Sequence, residues 1–212
     1  AVHDHGDVGP TADVANYLEF LRGTLADYRD EGAVPLLVGG EHTVTVAGVR
    51  AVDPDVYVCL DAHLDLRESY AGDPLSHATV THHALDVADR AVVLGARTGS
   101  EREWERASEA DVTAVEPTAV GEWDPADAVA DGESVYLSVD VDAFDPGYAP
   151  GTGTMEPFGL DPRSGRRVVR ELAPRVAGFD VVEVNDRDDG QTAALAAKLL
   201  RRFVFDHASA PE

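Results

Sequence analysis

Val56-Tyr57-Val58-Cys59-Leu60-Asp61-Ala62-His63-Leu64-Asp65 is the stretch that decides the fold. Its first five residues form an uninterrupted apolar run bounded upstream by Asp53-Pro54-Asp55, which reads as a strand buried on both faces. The run ends in two aspartates and a histidine. In open α/β sheets, sites lie at the carboxyl ends of strands, so the polar cluster is where function is expected.

Similar strands recur on either side, spaced by helix-like segments. Residues 34–38, 91–94, 135–139 and 179–184 read as strands, and 11–31, 43–51, 101–109 and 192–203 as helices, with another helix beginning at Arg163. Residues 64–76 and 143–162 read as long loops. Apolar strands alternating with helices predict a three-layer α/β/α fold around a mostly parallel sheet. No internal repeat or linker divides the 212 residues, so one domain over 1–212 is expected.

Charge narrows the partners. The chain has 17 Lys and Arg against 40 Asp and Glu, a net charge of −23, which disfavours nucleic acid and anionic membranes. Lys198 is the only lysine, and so acidic and lysine-poor a surface is expected of a protein from a high-salt cytoplasm, where ions screen self-repulsion. No run approaches the ~20 apolar residues of a membrane span, and the polar start Ala1–Pro10 is not a signal peptide, so a cytoplasmic location is expected. The single cysteine, Cys59, reads as a buried core residue.

Three strand ends carry the chemistry. Gly39-Gly40-Glu41-His42-Thr43 follows the first strand, Asp61-Ala62-His63-Leu64-Asp65 the second, and Asp140-Val141-Asp142 the strand that begins at Val135. If the backbone stays extended, Asp61, His63 and Asp65 point to one side, as do Asp140 and Asp142. Carboxylates packed together need a cation, and a mixed imidazole and oxygen set suits Mn²⁺, Fe²⁺ or Zn²⁺, the oxygen excess favouring Mn²⁺. Four Asp and two His exceed one ion with an open position, whereas two ions about 3.5–4 Å apart would use them and would lower the pKa of a bound water.

These segments resemble those of the arginase/agmatinase (ureohydrolase) family. Gly39-Gly40-Glu41-His42-Thr43 is similar to its GGDHS/GGEHT segment, Asp61–Asp65 to DAHxD, Ser138–Pro146 to SxDxDxxDP, Pro150–Thr154 to the loop that follows, and Phe179–Asn185 to the closing VEVN strand. The resemblance implies two Mn²⁺ per chain. His42, Asp61, Asp65 and Asp140 would hold one, and His63, Asp61, Asp140 and Asp142 the other, with Asp61 and Asp140 bridging. It implies hydrolysis of a small cationic guanidino substrate to an amine and urea. Glu183 would pair with the guanidinium, His77 would shuttle a proton to the leaving amine, Asp65 would act beside the ions, and Arg67 would line the substrate pocket. Homo-oligomers, trimers or hexamers, are expected.

Within the family, Asp65–Tyr70 and Leu75–Thr79 resemble the archaeal agmatinases, which implies agmatine as substrate; arginases carry asparagine where Arg67 stands. Arginase, guanidinobutyrase, formiminoglutamase, a one-metal deacetylase and a non-catalytic binding protein are the alternatives. Members usually have an opening strand and helix ahead of the segment at His5–Val8, so those elements are expected to be lacking. Met155 and Phe158 stand where proline and glycine are usual, and Asp186 where proline follows EVN. His82 and His83 read as a helix surface, and His3, His5 and His207 as solvated terminal residues.

Overall fold

The computed structural model describes residues 1–109 and 111–210. Among them, six strands form one parallel sheet: β1 (Leu36–Val38), β2 (Val56–Leu60), β3 (Arg90–Leu94), β4 (Val112–Val115), β5 (Val135–Asp140) and β6 (Val176–Val182). Their order across the sheet is β1-β6-β5-β2-β3-β4. The described residues also form seven α-helices: α1 (Val14–Asp30), α2 (Val44–Val52), α3 (Val80–Ala84), α4 (Glu101–Arg106), α5 (Pro117–Val120), α6 (Pro162–Leu172) and α7 (Gln191–Ala208).

The side-chain alternation of β2 explains its unbroken apolar run. Val56, Val58 and Leu60 enter a core shared with α6 and α7, while Tyr57 and Cys59 enter a second core shared with α1 and α2. All five are fully buried, as expected of a central strand covered on both faces. β5 divides the same way, with Val135, Leu137 and Val139 on one side and Tyr136 on the other. The expected three-layer architecture is therefore present.

Local signals set the helix ends. The Asp13 carboxylate accepts from the Asn16 amide at the start of α1. Ser100 and Glu103 form a reciprocal capping box on α4, and Asp161 with Pro162 opens α6. Gly32 takes φ 82° just past α1, where a side chain would be strained.

Several boundaries differ from expectation. β4 was not expected, since Val112-Thr113-Ala114-Val115 is a short edge strand with only Val112 buried. α4 ends at Arg106 rather than 109, and α7 continues five residues beyond 203. β6 begins at Val176 and ends at Val182, so Glu183 lies just beyond the strand rather than on it. His207 is half-buried near the end of α7 and meets the Ala173 carbonyl at 2.8 Å, rather than being a solvated terminal residue. Among the described residues, no helix is long and apolar enough to cross a membrane.

Candidate metal centre

The topology brings two strand ends together. β2 leads outward to β3 and β4, whereas β5 leads back toward β6 and β1. The chain thus departs in opposite directions from two adjacent strands, which opens a crevice at their carboxyl ends. Leu60 pairs with Val139, so the next residues along, Asp61 and Asp140, meet at that crevice.

The backbone does not stay extended beyond these strands, yet the side chains still converge. After β5, a 3₁₀ turn over Val141–Ala143 carries Asp142, whose amide donates to the Asp140 carboxylate at 2.8 Å. After β2, the His63 amide donates to Asp61 at 2.7 Å. Asp65 reaches the cluster from a left-handed conformation, φ 50°, which is uncommon for a residue with a side chain and concentrates at functional sites.

Two overlapping groups result, one of His42, Asp61 and Asp140, the other of Asp61, His63 and Asp142, each with ligand atoms within 4.8 Å of one another. His42 Nδ1 lies 3.1 Å from Asp65, 3.3 Å from Asp140 and 3.4 Å from Asp61. His63 Nδ1 lies 3.0 Å from Asp142 and 3.6 Å from Asp61. Asp61 is common to both groups; Asp140 belongs only to the first.

The donors fit cations. His42 Nδ1 is fully buried and makes no hydrogen bond, although three carboxylate oxygens surround it. Atoms gathered about a common point, rather than aimed at each other, are what coordination requires. Burial and the neighbouring Asp65 and Asp142 push the Asp61 carboxyl up to about 7. Burial would lower the His42 imidazole, but Asp65 and Asp61 outweigh it and raise it to about 10. Asp142 and Asp61 likewise outweigh burial at His63 and raise it to about 11. So dense a set of acids can be neutralised by protons or by metal ions.

Around this cluster stand the other expected residues. Glu183, φ 60°, accepts the His42 amide through Oε1 at 2.7 Å. Burial raises its carboxyl, and the His42 amide offsets part of that rise. His77 is half-exposed in a short 3₁₀ turn, 4.0 Å from Glu41 and with its ring 5.3 Å from that of Tyr70. Arg67 is directed elsewhere: its guanidinium pairs with Glu103 at 3.1 Å and lies over the Tyr70 ring. His82 and His83 are partly buried in α3, and His83 Nε2 meets the Pro74 carbonyl at 2.8 Å, which closes the 64–76 loop.

Sequence reading missed several contributors. Thr154 donates to Asp142 at 3.0 Å. Glu156 places its carboxylate 3.8 Å from His63 Nε2. Arg97 donates to the carbonyls of Asp142, Ala143, Glu156 and Pro157, tying the 143–162 loop to the strand ends. An arginine just after an apolar strand and its glycine was the one available signal for Arg97. The atypical Phe158 takes φ 65°, a region that favours glycine, and is 85% exposed.

A parallel α/β/α sheet with aspartates and histidines converging at its switch point defines a protein with a candidate metal centre. The arginase family profile matches residues 1–205, and the chain belongs to the arginase family. It is 36% identical to an agmatinase from Pyrococcus horikoshii, over 94% of this chain and 72% of that protein. It is 37% identical to an N(1)-aminopropylagmatine ureohydrolase from Thermococcus kodakarensis, with the same coverage, 94% and 72%. The agmatine ureohydrolase structure from Thermoplasma volcanium superposes with a TM-score of 0.88 at 36% identity, covering 97% of this chain and 73% of that one.

Proposed function

We propose that this chain is a metal-dependent amidinohydrolase that cleaves a guanidino compound, agmatine first among them, to an amine and urea. The carrying observation is the pair of His/Asp groups that share Asp61, all of their residues buried except the partly exposed His63. His42, Asp61, Asp65 and Asp140 would hold one ion, and His63, Asp61, Asp140 and Asp142 the other. Mn²⁺ is the proposed metal, because carboxylates outnumber imidazoles in the set. Two such ions, when bound, supply a water acidified enough to attack near neutral pH.

The remaining residues bind and orient. Glu183 commits Oε1 to the His42 amide, and its second oxygen is available to a guanidinium N–H. Glu41 and Glu156 place further carboxylates beside His77 and His63, suited to the distal ammonium of a dication. His77, half-exposed and 4.0 Å from Glu41, would hand a proton to the leaving amine. Arg67 bears on substrate through the loop it braces against Glu103. A homo-oligomer in the cytoplasm completes the reading.

The 37% identity to an aminopropylagmatine ureohydrolase favours a second reading, in which the amine carries an aminopropyl extension. Urea release by Mn²⁺-loaded protein in molar KCl, with agmatine, aminopropylagmatine, arginine and 4-guanidinobutyrate compared, tests both. Preferred turnover of agmatine, abolished in Asp140→Ala, supports the first. Preference for the extended amine supports the second. No urea from any of them, in folded protein carrying two ions, overturns the proposal.

A further inference from the structure

Asp180 on β6 is fully buried and lies in register with Ser138 of β5. Its Oδ2 accepts from Thr45 at 2.8 Å and from Tyr136 at 2.7 Å, and its Oδ1 accepts from Ser138 at 2.6 Å. Ser138 Oγ lies in turn 3.3 Å from His42 Nε2, with the Tyr57 hydroxyl 3.5 Å from the same nitrogen. A buried carboxylate is costly, and three hydroxyl donors hold this one in a single orientation.

The proton inventory of this chain of contacts is restrictive. Ser138 has one hydroxyl hydrogen, and the short bond to a carboxylate commits it to Asp180. Toward His42, Ser138 therefore offers only a lone pair. A lone pair there favours the N–H on the imidazole nitrogen facing it, so the neutral ring, the form that binds a metal, keeps its own lone pair on Nδ1, the nitrogen that faces Asp61, Asp65 and Asp140. Metal-bound histidines are commonly oriented by such a partner on the other ring nitrogen.

We propose that Asp180 is a positioning residue for the metal centre: acting through the Ser138 hydroxyl, it fixes the His42 tautomer and ring orientation that present Nδ1 to a divalent cation. The inference rests on the reading of His42 as a metal ligand. It concerns one of the two ions only, since His63 has no part in this relay and faces Glu156 instead.

Mn²⁺ titration in molar KCl, reading stoichiometry and affinity together with the melting temperature of metal-free protein, tests it. Wild type takes up two ions. Ser138→Ala removes the relay and weakens one of the two by roughly ten- to a hundred-fold, leaving the other. Thr45→Val removes a donor from the Asp180 oxygen that does not face Ser138; it lowers the melting temperature but leaves both affinities unchanged. In Asp180→Asn, the amide oxygen turns to the paired hydroxyls of Thr45 and Tyr136 and the amide N–H to Ser138. The Ser138 hydrogen then points at His42 Nε2 and favours the tautomer with Nδ1 blocked, so the same ion is weakened. Equal effects of Ser138→Ala and Thr45→Val on metal affinity would overturn the relay, even if Asp180→Asn does not fold. Wild type that binds no ion would sink the metal centre and the relay with it.

Discussion

The Glu183 carboxylate accepts the backbone amide of His42 at 2.7 Å, across 141 residues of sequence. The contact joins the end of β6 to the turn before α2, and it ties the proposed guanidinium-binding group to the proposed ligand. Glu183→Gln keeps the shape but replaces the charge. Two ions should remain bound, while kcat/KM falls by about 2 kcal/mol of lost charge-assisted hydrogen bonding, roughly thirty-fold. Steady-state urea release beside a metal count measures this; unchanged kcat/KM would remove Glu183 from substrate binding.

The sharing of Asp61 between both groups makes its loss distinct from that of its neighbours. Asp61→Ala should bind no ion tightly, whereas Asp142→Ala should keep the ion on His42. Elemental analysis after dialysis distinguishes the two, and one retained ion in Asp61→Ala would count against a bridged pair.

Forty acidic residues on so small a chain repel one another at low ionic strength. The melting temperature should rise steadily from low to molar KCl. A flat dependence, followed by circular dichroism, would contradict salt adaptation.

Asp145 accepts the amides of Gly147, Phe158 and Gly159, and these bonds hold its carboxyl below the usual carboxylate range despite some desolvation. A carboxyl depressed in the folded state contributes stability above its unfolded pKa, and that contribution is lost as pH falls through the folded value. Acid unfolding below about pH 4 should therefore include the opening of the 143–162 loop. Asp145→Asn should lower stability at pH 7 and flatten its decline in acid. Equal acid profiles for the two proteins would discount the contribution.

Phe158 holds φ 65° while 85% exposed, so little packing offsets its backbone strain. Phe158→Gly relieves about 1–2 kcal/mol of steric cost and gives back about 0.5–1 kcal/mol of chain entropy. The melting temperature should rise by about 1–3 °C. A fall would show that the phenyl ring makes a stabilising contribution of its own.

The sequence by itself determined the layers and the residue types of the centre. β2 is apolar on both faces because both faces are covered, and that leaves an uninterrupted run readable without coordinates; β5 is covered in the same way and is broken only by Ser138 before it ends at Asp140. The motifs at their ends, with the one after β1 that carries His42, named the four aspartates and two histidines, because burying such groups together is costly unless something positive neutralises them. β4 was not legible, since an edge strand with one buried residue has little apolar pattern to show. Tertiary structure alone decided the rest. The 3₁₀ turn at Val141–Ala143 and the left-handed Asp65 and Glu183 place side chains by backbone geometry that periodicity does not encode. Only the order of the strands brings Asp180, Ser138 and His42 into one line, from three segments distant in sequence, because hydrogen bonds act over a few ångströms of space and take no account of separation along the chain.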